Sequence, residues 1–94
     1  MILKILKIST WIGDDTNCYI ILDEASKETI VVDPAGEVDR IVDMVNILKG
    51  KLKYIFLTHC HGDHIAGVTE LKERLGGKIL IHRNDAERIK YTIY

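Results

Sequence analysis

The sequence predicts an α/β layered fold with its elements in the order β-β-β-α-β-α-β-α. Three observations carry this reading. Two β-rich runs, residues 17–23 and 29–33, flank the polar stretch Glu24-Ala25-Ser26-Lys27-Glu28, which is a hairpin signal. Downstream, apolar residues recur at three- and four-residue steps in two stretches, the mark of helices with one buried face. Short apolar runs follow each of those stretches, and alternation of strand and helix is what builds layered α/β folds.

Taken in order, Ile2, Leu3, Ile5, Leu6 and Ile8 fit neither period cleanly, and residues 2–8 are assigned to a strand. Asp33-Pro34-Ala35-Gly36 ends the third strand, because Pro34 cannot donate to a ladder and Gly36 frees the turn. Residues 37–49 read as a helix with Val38, Ile41, Val42, Val45 and Leu48 on one face. Glu37 and Asp39 suit its positive N-terminus, and Gly50 stops it. Leu52 to Leu57 is the next strand. A helix over about 65–75 turns Ile65, Val68, Leu71 and Leu75 inward and ends at Gly76-Gly77. Gly67 inside it costs about 1 kcal/mol against alanine, which points to close packing of that turn. Lys78 to His82 is a further strand, Asn84-Asp85 caps a last short helix, and Tyr91-Thr92-Ile93-Tyr94 has the character of an edge strand.

With 94 residues the chain forms one domain, 1–94, without repeats or linkers. Its 47% apolar and 29% charged residues are those of a globular protein, and a net charge of −1 gives no footprint for nucleic acid or an acidic membrane surface. Lys4, Lys7 and Asp14 interrupt the N-terminal apolar run, which is too short to span a bilayer and lacks the features of a signal peptide. Cytoplasmic residence is the expectation. Cys18 and Cys60 make no disulfide framework, and Cys18, within Cys18-Tyr19-Ile20-Ile21-Leu22, reads as a small buried residue.

Three of the four histidines, His59, His61 and His64, fall within six residues, with Asp63 between the last two. Imidazole is neutral near pH 7 and ligates zinc-like ions, and a carboxylate adds charge and an oxygen ligand. In an extended segment positions 59 and 61 share a side, so both rings can reach one ion. Asp63 and His64 follow where the chain turns toward the helix, and Gly62 permits a sharp bend. Ligands after a strand and before a helix lie where α/β sheets generally place their sites. The bland alternative, histidines bonded locally in a polar loop, does not account for this spacing.

The string Thr58-His59-Cys60-His61-Gly62-Asp63-His64 resembles the HxHxDH signature of the metallo-β-lactamase superfamily. Upstream, Thr16-Asn17-Cys18-Tyr19-Ile20 and Ile30-Val31-Val32-Asp33-Pro34-Ala35-Gly36 are similar to the hairpin and "VDPG" turn of its glyoxalase II-like branch, and Ile65-Ala66-Gly67 matches downstream. The resemblance covers most of residues 16–87 and implies the N-terminal half of an αββα sandwich. It implies two ions, zinc or else iron or manganese, with His59 and His61 on the first and Asp63 and His64 on the second. A metal-bound hydroxide would then hydrolyse a thioester, ester or lactone, with Asp63 also orienting the nucleophile as a catalytic residue. Asp33 and Thr58 would stand behind the ligands, although Asp33 is equally readable as a plain turn residue before Pro34.

The flavodiiron branch carries Glu where this chain has His61, which disfavours oxygen reduction. The ribonuclease Z-like branch shares His59-Cys60-His61-Gly62-Asp63-His64, but its Gly-rich start is missing and the chain is not basic, so a nuclease is the weaker reading. Cys60 is either a soft or redox-sensitive group or, by alternation, a side chain facing away from the metals. His82 reads as structural or surface, Trp11 as packing, and Glu70, Lys72, Glu73 and Arg74 as a solvated helix face.

The family takes its remaining ligands from segments well beyond this loop, whereas here 30 residues follow His64. One sheet with helices on one face leaves its other face apolar and uncovered. The chain is therefore expected to be a truncated or non-catalytic metal-binding half-domain, to pair with a complementing chain, or to form a homodimer. The homodimer is favoured, because the sheet face and the half-site are both self-complementary under two-fold symmetry.

Overall fold

A computed structural model describes residues 1–9, 15–58 and 62–81, the side chains of 62–66 and 81 excepted. Five strands, β1 (Ile2–Ser9), β2 (Asp15–Leu22), β3 (Glu28–Val32), β4 (Lys51–Leu57) and β5 (Lys78–Ile81), form one sheet in chain order. β1, β2 and β3 run antiparallel, while β3, β4 and β5 run parallel. Helices α1 (Val38–Ile47) and α2 (Gly62–Leu75) make the two parallel crossovers. The sequence order is reproduced through β5; the last helix and the 91–94 strand lie outside the described residues.

The hairpin between β2 and β3 closes where the polar stretch predicts. Asp23 N–H donates to the Glu28 carbonyl at 2.9 Å and Lys27 N–H to the Asp23 carbonyl at 2.7 Å. The Asp23 carboxylate accepts from Ser26 Oγ at 2.9 Å and Ala25 N–H at 3.3 Å, and these bonds hold its pKa below the usual carboxylate value.

Alternation along the strands divides the sheet into two unlike faces. Ile8, Cys18, Ile20, Leu22, Val31, Ile55 and Leu57 are all buried on one face. There all of them but Leu22 meet Val38, Ile41, Val42 and Val45 of α1 and Val68 and Leu71 of α2 in a single core. The opposite face carries Leu3, Ile5, Phe56 and Leu80, all exposed, with Tyr19, Ile21, Ile30, Val32 and Tyr54 half-buried among them. The registers Ile5 opposite Tyr19, Val32 opposite Phe56 and Phe56 opposite Leu80 make this second face a continuous apolar surface.

Both helices differ from expectation at their ends. Glu37 precedes α1 in the left-handed region (φ 47°) and makes no capping bond to the helix. Its carboxylate instead accepts Ser9 N–H at 2.7 Å and bonds Arg40 Nη1 at 3.2 Å, tying α1 to the end of β1. The left-handed position at the C-terminus falls on Lys49 (φ 56°) and not on Gly50. Lys49 N–H donates to Asn46 O and Gly50 N–H to Val45 O, the paired bonds of a Schellman motif. Gly50 matters for space: a methyl group there would overlap Thr29 Oγ1, which is fully buried.

The second helix begins at Gly62, earlier than the expected 65. Gly62 is thus its first residue and not a bend before it, and Asp63 and His64 belong to the first turn. Its other end matches the sequence, with Gly76 at φ 76° donating to Lys72 O at 2.8 Å.

Candidate metal centre

The C-terminal ends of β3 and β4 lie side by side, since Val32 pairs with Phe56 and the next residue, Asp33, donates its N–H to Phe56 O at 2.9 Å. Both strands then stop. Asp33 adopts a left-handed conformation (φ 55°) that aspartate tolerates better than most residues, and Pro34 cannot continue the ladder. Ala35 N–H closes the turn onto Asp33 O at 2.9 Å.

This turn aims the Asp33 carboxylate at the end of β4. Thr58 N–H donates to Oδ1 at 2.9 Å and Thr58 Oγ1–H to Oδ2 at 2.6 Å. Asp33 is buried but Thr58 is exposed, so both bonds are partly shielded from water, and bonds to a carboxylate are stronger than neutral ones. The sequence left Asp33 open between a turn residue and a support for the loop. The structure shows the turn setting its direction and the carboxylate bonded to Thr58, the residue just before His59.

Cys18 lies fully buried beneath this corner, as expected for a small core residue. Burial first, and the negative charge of Asp33 second, push its thiol up from 9.0 to about 12. The neighbourhood of Cys18 and Asp33 was invisible in the sequence, because Cys18 lies in β2 and Asp33 in the turn just after β3, and no local pattern links them. Gly67 is also buried, and its Cα lies directly against the Pro34–Ala35 turn.

Of the residues proposed as metal ligands, His59 and His61 lie outside the described residues, as do Cys60, His82 and Trp11. Asp63 and His64 are placed by backbone in the first turn of α2. Among the described residues, no three His, Cys, Asp or Glu side chains come together as a metal site. The donor cluster that the sequence singles out is the 59–64 segment. Its three imidazoles and one carboxylate are a donor set that zinc accepts, and iron and manganese tolerate. The segment starts from a residue held at two atoms by Asp33 and runs into a helix packed on the same turn, so the donors hang from a fixed frame. Residues and frame fit a divalent metal.

Comparison with known proteins agrees with this geometry. The family model of the metallo-beta-lactamase superfamily matches residues 11–94. A hydroxyacylglutathione hydrolase of Pelagibacter ubique is 36% identical over 80% of this chain and 31% of its own length. A probable polyketide biosynthesis zinc-dependent hydrolase, PksB, of Bacillus subtilis is 33% identical over 94% of this chain and 40% of its own. The crystal structure of BLEG-1, a B3 metallo-beta-lactamase, superposes with a TM-score of 0.77 at 23% identity, over 94% of this chain and 40% of that one. The last likeness is one of fold. The chain spans between 31% and 40% of the length of these proteins.

Proposed function

The chain belongs to the metallo-β-lactamase superfamily, and from that membership we propose that it is the metal-binding half of a metal-dependent hydrolase acting on a thioester, ester or lactone. In this reading His59 and His61 hold one ion and Asp63 and His64 a second, with zinc preferred and iron or manganese compatible. The observation that carries it is the double bond pattern from Thr58 to Asp33, which fixes the residue in front of the histidine cluster at the sheet's C-terminal edge. A bound divalent ion supplies Lewis acidity and a water made acidic enough to attack near pH 7. The chain's own groups do the rest: Asp63 orients the nucleophile, and Asp33 and Thr58 keep the ligand-bearing segment in place.

A thioester is the first choice of substrate because the name of the Pelagibacter relative specifies an acyl-glutathione, whose scissile bond is one. A phosphodiester is the weaker choice, since a net charge of −1 offers nothing to a nucleic acid backbone. No helix among the described residues is long and apolar enough to cross a membrane. A cytoplasmic location belongs to the same proposal and is supported by the buried free thiol of Cys18, which suits a reducing compartment.

A second reading, a non-catalytic half-domain whose role is assembly, is favoured by the uncovered apolar sheet face. For this chain on its own, a second copy is the proposed cover, since a two-fold axis brings the same patch against itself. The assay that separates the readings is hydrolysis of an acyl-glutathione thioester by the zinc-loaded chain. Activity that a chelator and His61→Ala both abolish supports the hydrolase. Zinc binding without turnover on any ester or thioester supports the half-domain, and turnover confined to a phosphodiester supports the nuclease.

A further inference from the structure

Gly67 sits inside α2 with no conformational need to be glycine, because the left-handed glycines among the described residues are Gly76 and Gly77. Glycine in a helix interior is costly, at about 1 kcal/mol against alanine. What requires it is space. A methyl group at position 67 would overlap the Pro34 carbonyl oxygen and come within 3.1 Å of Pro34 C and 3.2 Å of Ala35 C. These are backbone atoms, which cannot rotate out of the way as the tip of a side chain can.

The turn that Gly67 meets is itself tied down. Its φ at Pro34 is fixed by the ring, Asp33 N–H is bonded to Phe56 O, and the Asp33 carboxylate holds Thr58. Positions 63 and 64 lie four and three residues before Gly67 on the same helix, one turn nearer the N-terminus. One turn, Asp33-Pro34-Ala35, therefore grips the chain on both sides of residues 59–66, at Thr58 before them and at Gly67 after them.

We propose that Gly67 is a positioning residue for the metal loop: its bare Cα lets α2 seat on the Pro34 carbonyl and so sets where the first turn of α2, which carries positions 63 and 64, stands relative to Thr58. This rests on the reading of 59–64 as metal ligands. A side chain at 67 lifts the first turn of α2 off the turn while the core contacts of Val68 and Leu71 persist farther along the helix.

The test is Gly67→Ala in the full chain, read in two ways. Zinc titration gives the metal affinity, which falls by about tenfold or more, as for outer residues that orient metal ligands. Thiol labelling of the metal-free protein gives a second readout that needs no metal. Cys18 is buried and its thiol is pushed up to about 12, which protects it in the folded chain, and labelling that Cys60→Ser removes is assigned to Cys60. The Cys60 rate changes by about threefold or more while Cys18 stays unlabelled, which shows that the fold is kept and the loop has moved. Should Gly67→Ala not fold, Thr58→Val tests the other grip by the same two readouts without touching the core. Wild-type zinc affinity together with a wild-type Cys60 rate overturns the proposal. A wild-type chain that binds no zinc overturns the metal reading instead, and the Cys60 rate still decides whether the turn positions the loop.

Discussion

The two faces of the sheet share the same strands and differ in almost everything else. On the helical face Ile20, Val31 and Ile55 are 0% exposed, whereas across the same strands Leu3 and Ile5 are each 56% exposed and Phe56 and Leu80 each 41%. Strand alternation sends apolar residues both ways, yet α1 and α2 cover one side only. The helical face is a closed core of buried side chains. The other has the composition of a core and the exposure of a surface, which is what a sheet presents when its covering layer belongs to another segment or another molecule. The candidate metal site lies at the C-terminal edge that both faces share.

The largest effect that would sharpen this contrast is a cavity on the closed face. Ile55→Ala should destabilise the chain by about 2–5 kcal/mol in denaturant titration. Ile5→Ala, on the open face, should cost a small fraction of that in the monomer, and equal losses would mean that the faces are energetically alike. Next comes Thr58→Val, which deletes one of the two bonds to Asp33 at the shared edge and should cost about 1–2 kcal/mol.

The alkaline limb of stability probes the closed face from within. The Cys18 thiol stays neutral in the folded chain up to about 12 but ionises near 9.0 once unfolded, so rising pH through that window favours unfolding. Below pH 8 the group has no effect. Between pH 9 and 12 the wild type should lose up to about 1.4 kcal/mol per pH unit more than Cys18→Ala, and parallel curves would show that the thiol is not held neutral. The smallest change in monomer stability is expected from Phe56→Lys on the open face. Its effect should appear in sedimentation, as loss of self-association with the melting of the monomer nearly unchanged.

Most of the fold was legible because it is written in local periods. The hairpin, both helices and the strand before the histidines follow from spacing alone, and the burial of Ile41, Val45, Val68 and Leu71 follows from the same steps. The element ends were less legible, since they depend on contacts between residues distant in sequence. Glu37 reads as an acid that suits the helix N-terminus, yet its carboxylate bonds Ser9, 28 residues away, and Gly50 reads as the helix stop while Lys49 takes the left-handed conformation. The site was half legible. Ligand chemistry and spacing single out 59–64, and the VDP turn draws notice to Asp33, but nothing local says that its carboxylate is spent on Thr58. The packing of Gly67 could be guessed from its cost in a helix, yet its partner, Pro34, could not.

Native mass spectrometry of the purified chain, with and without added zinc, tests the central claim most directly. A metal half-site beside an uncovered sheet face predicts a zinc-bearing dimer that a chelator dissociates and that Phe56→Lys prevents. A monomer that stays free of metal in excess zinc would contradict it.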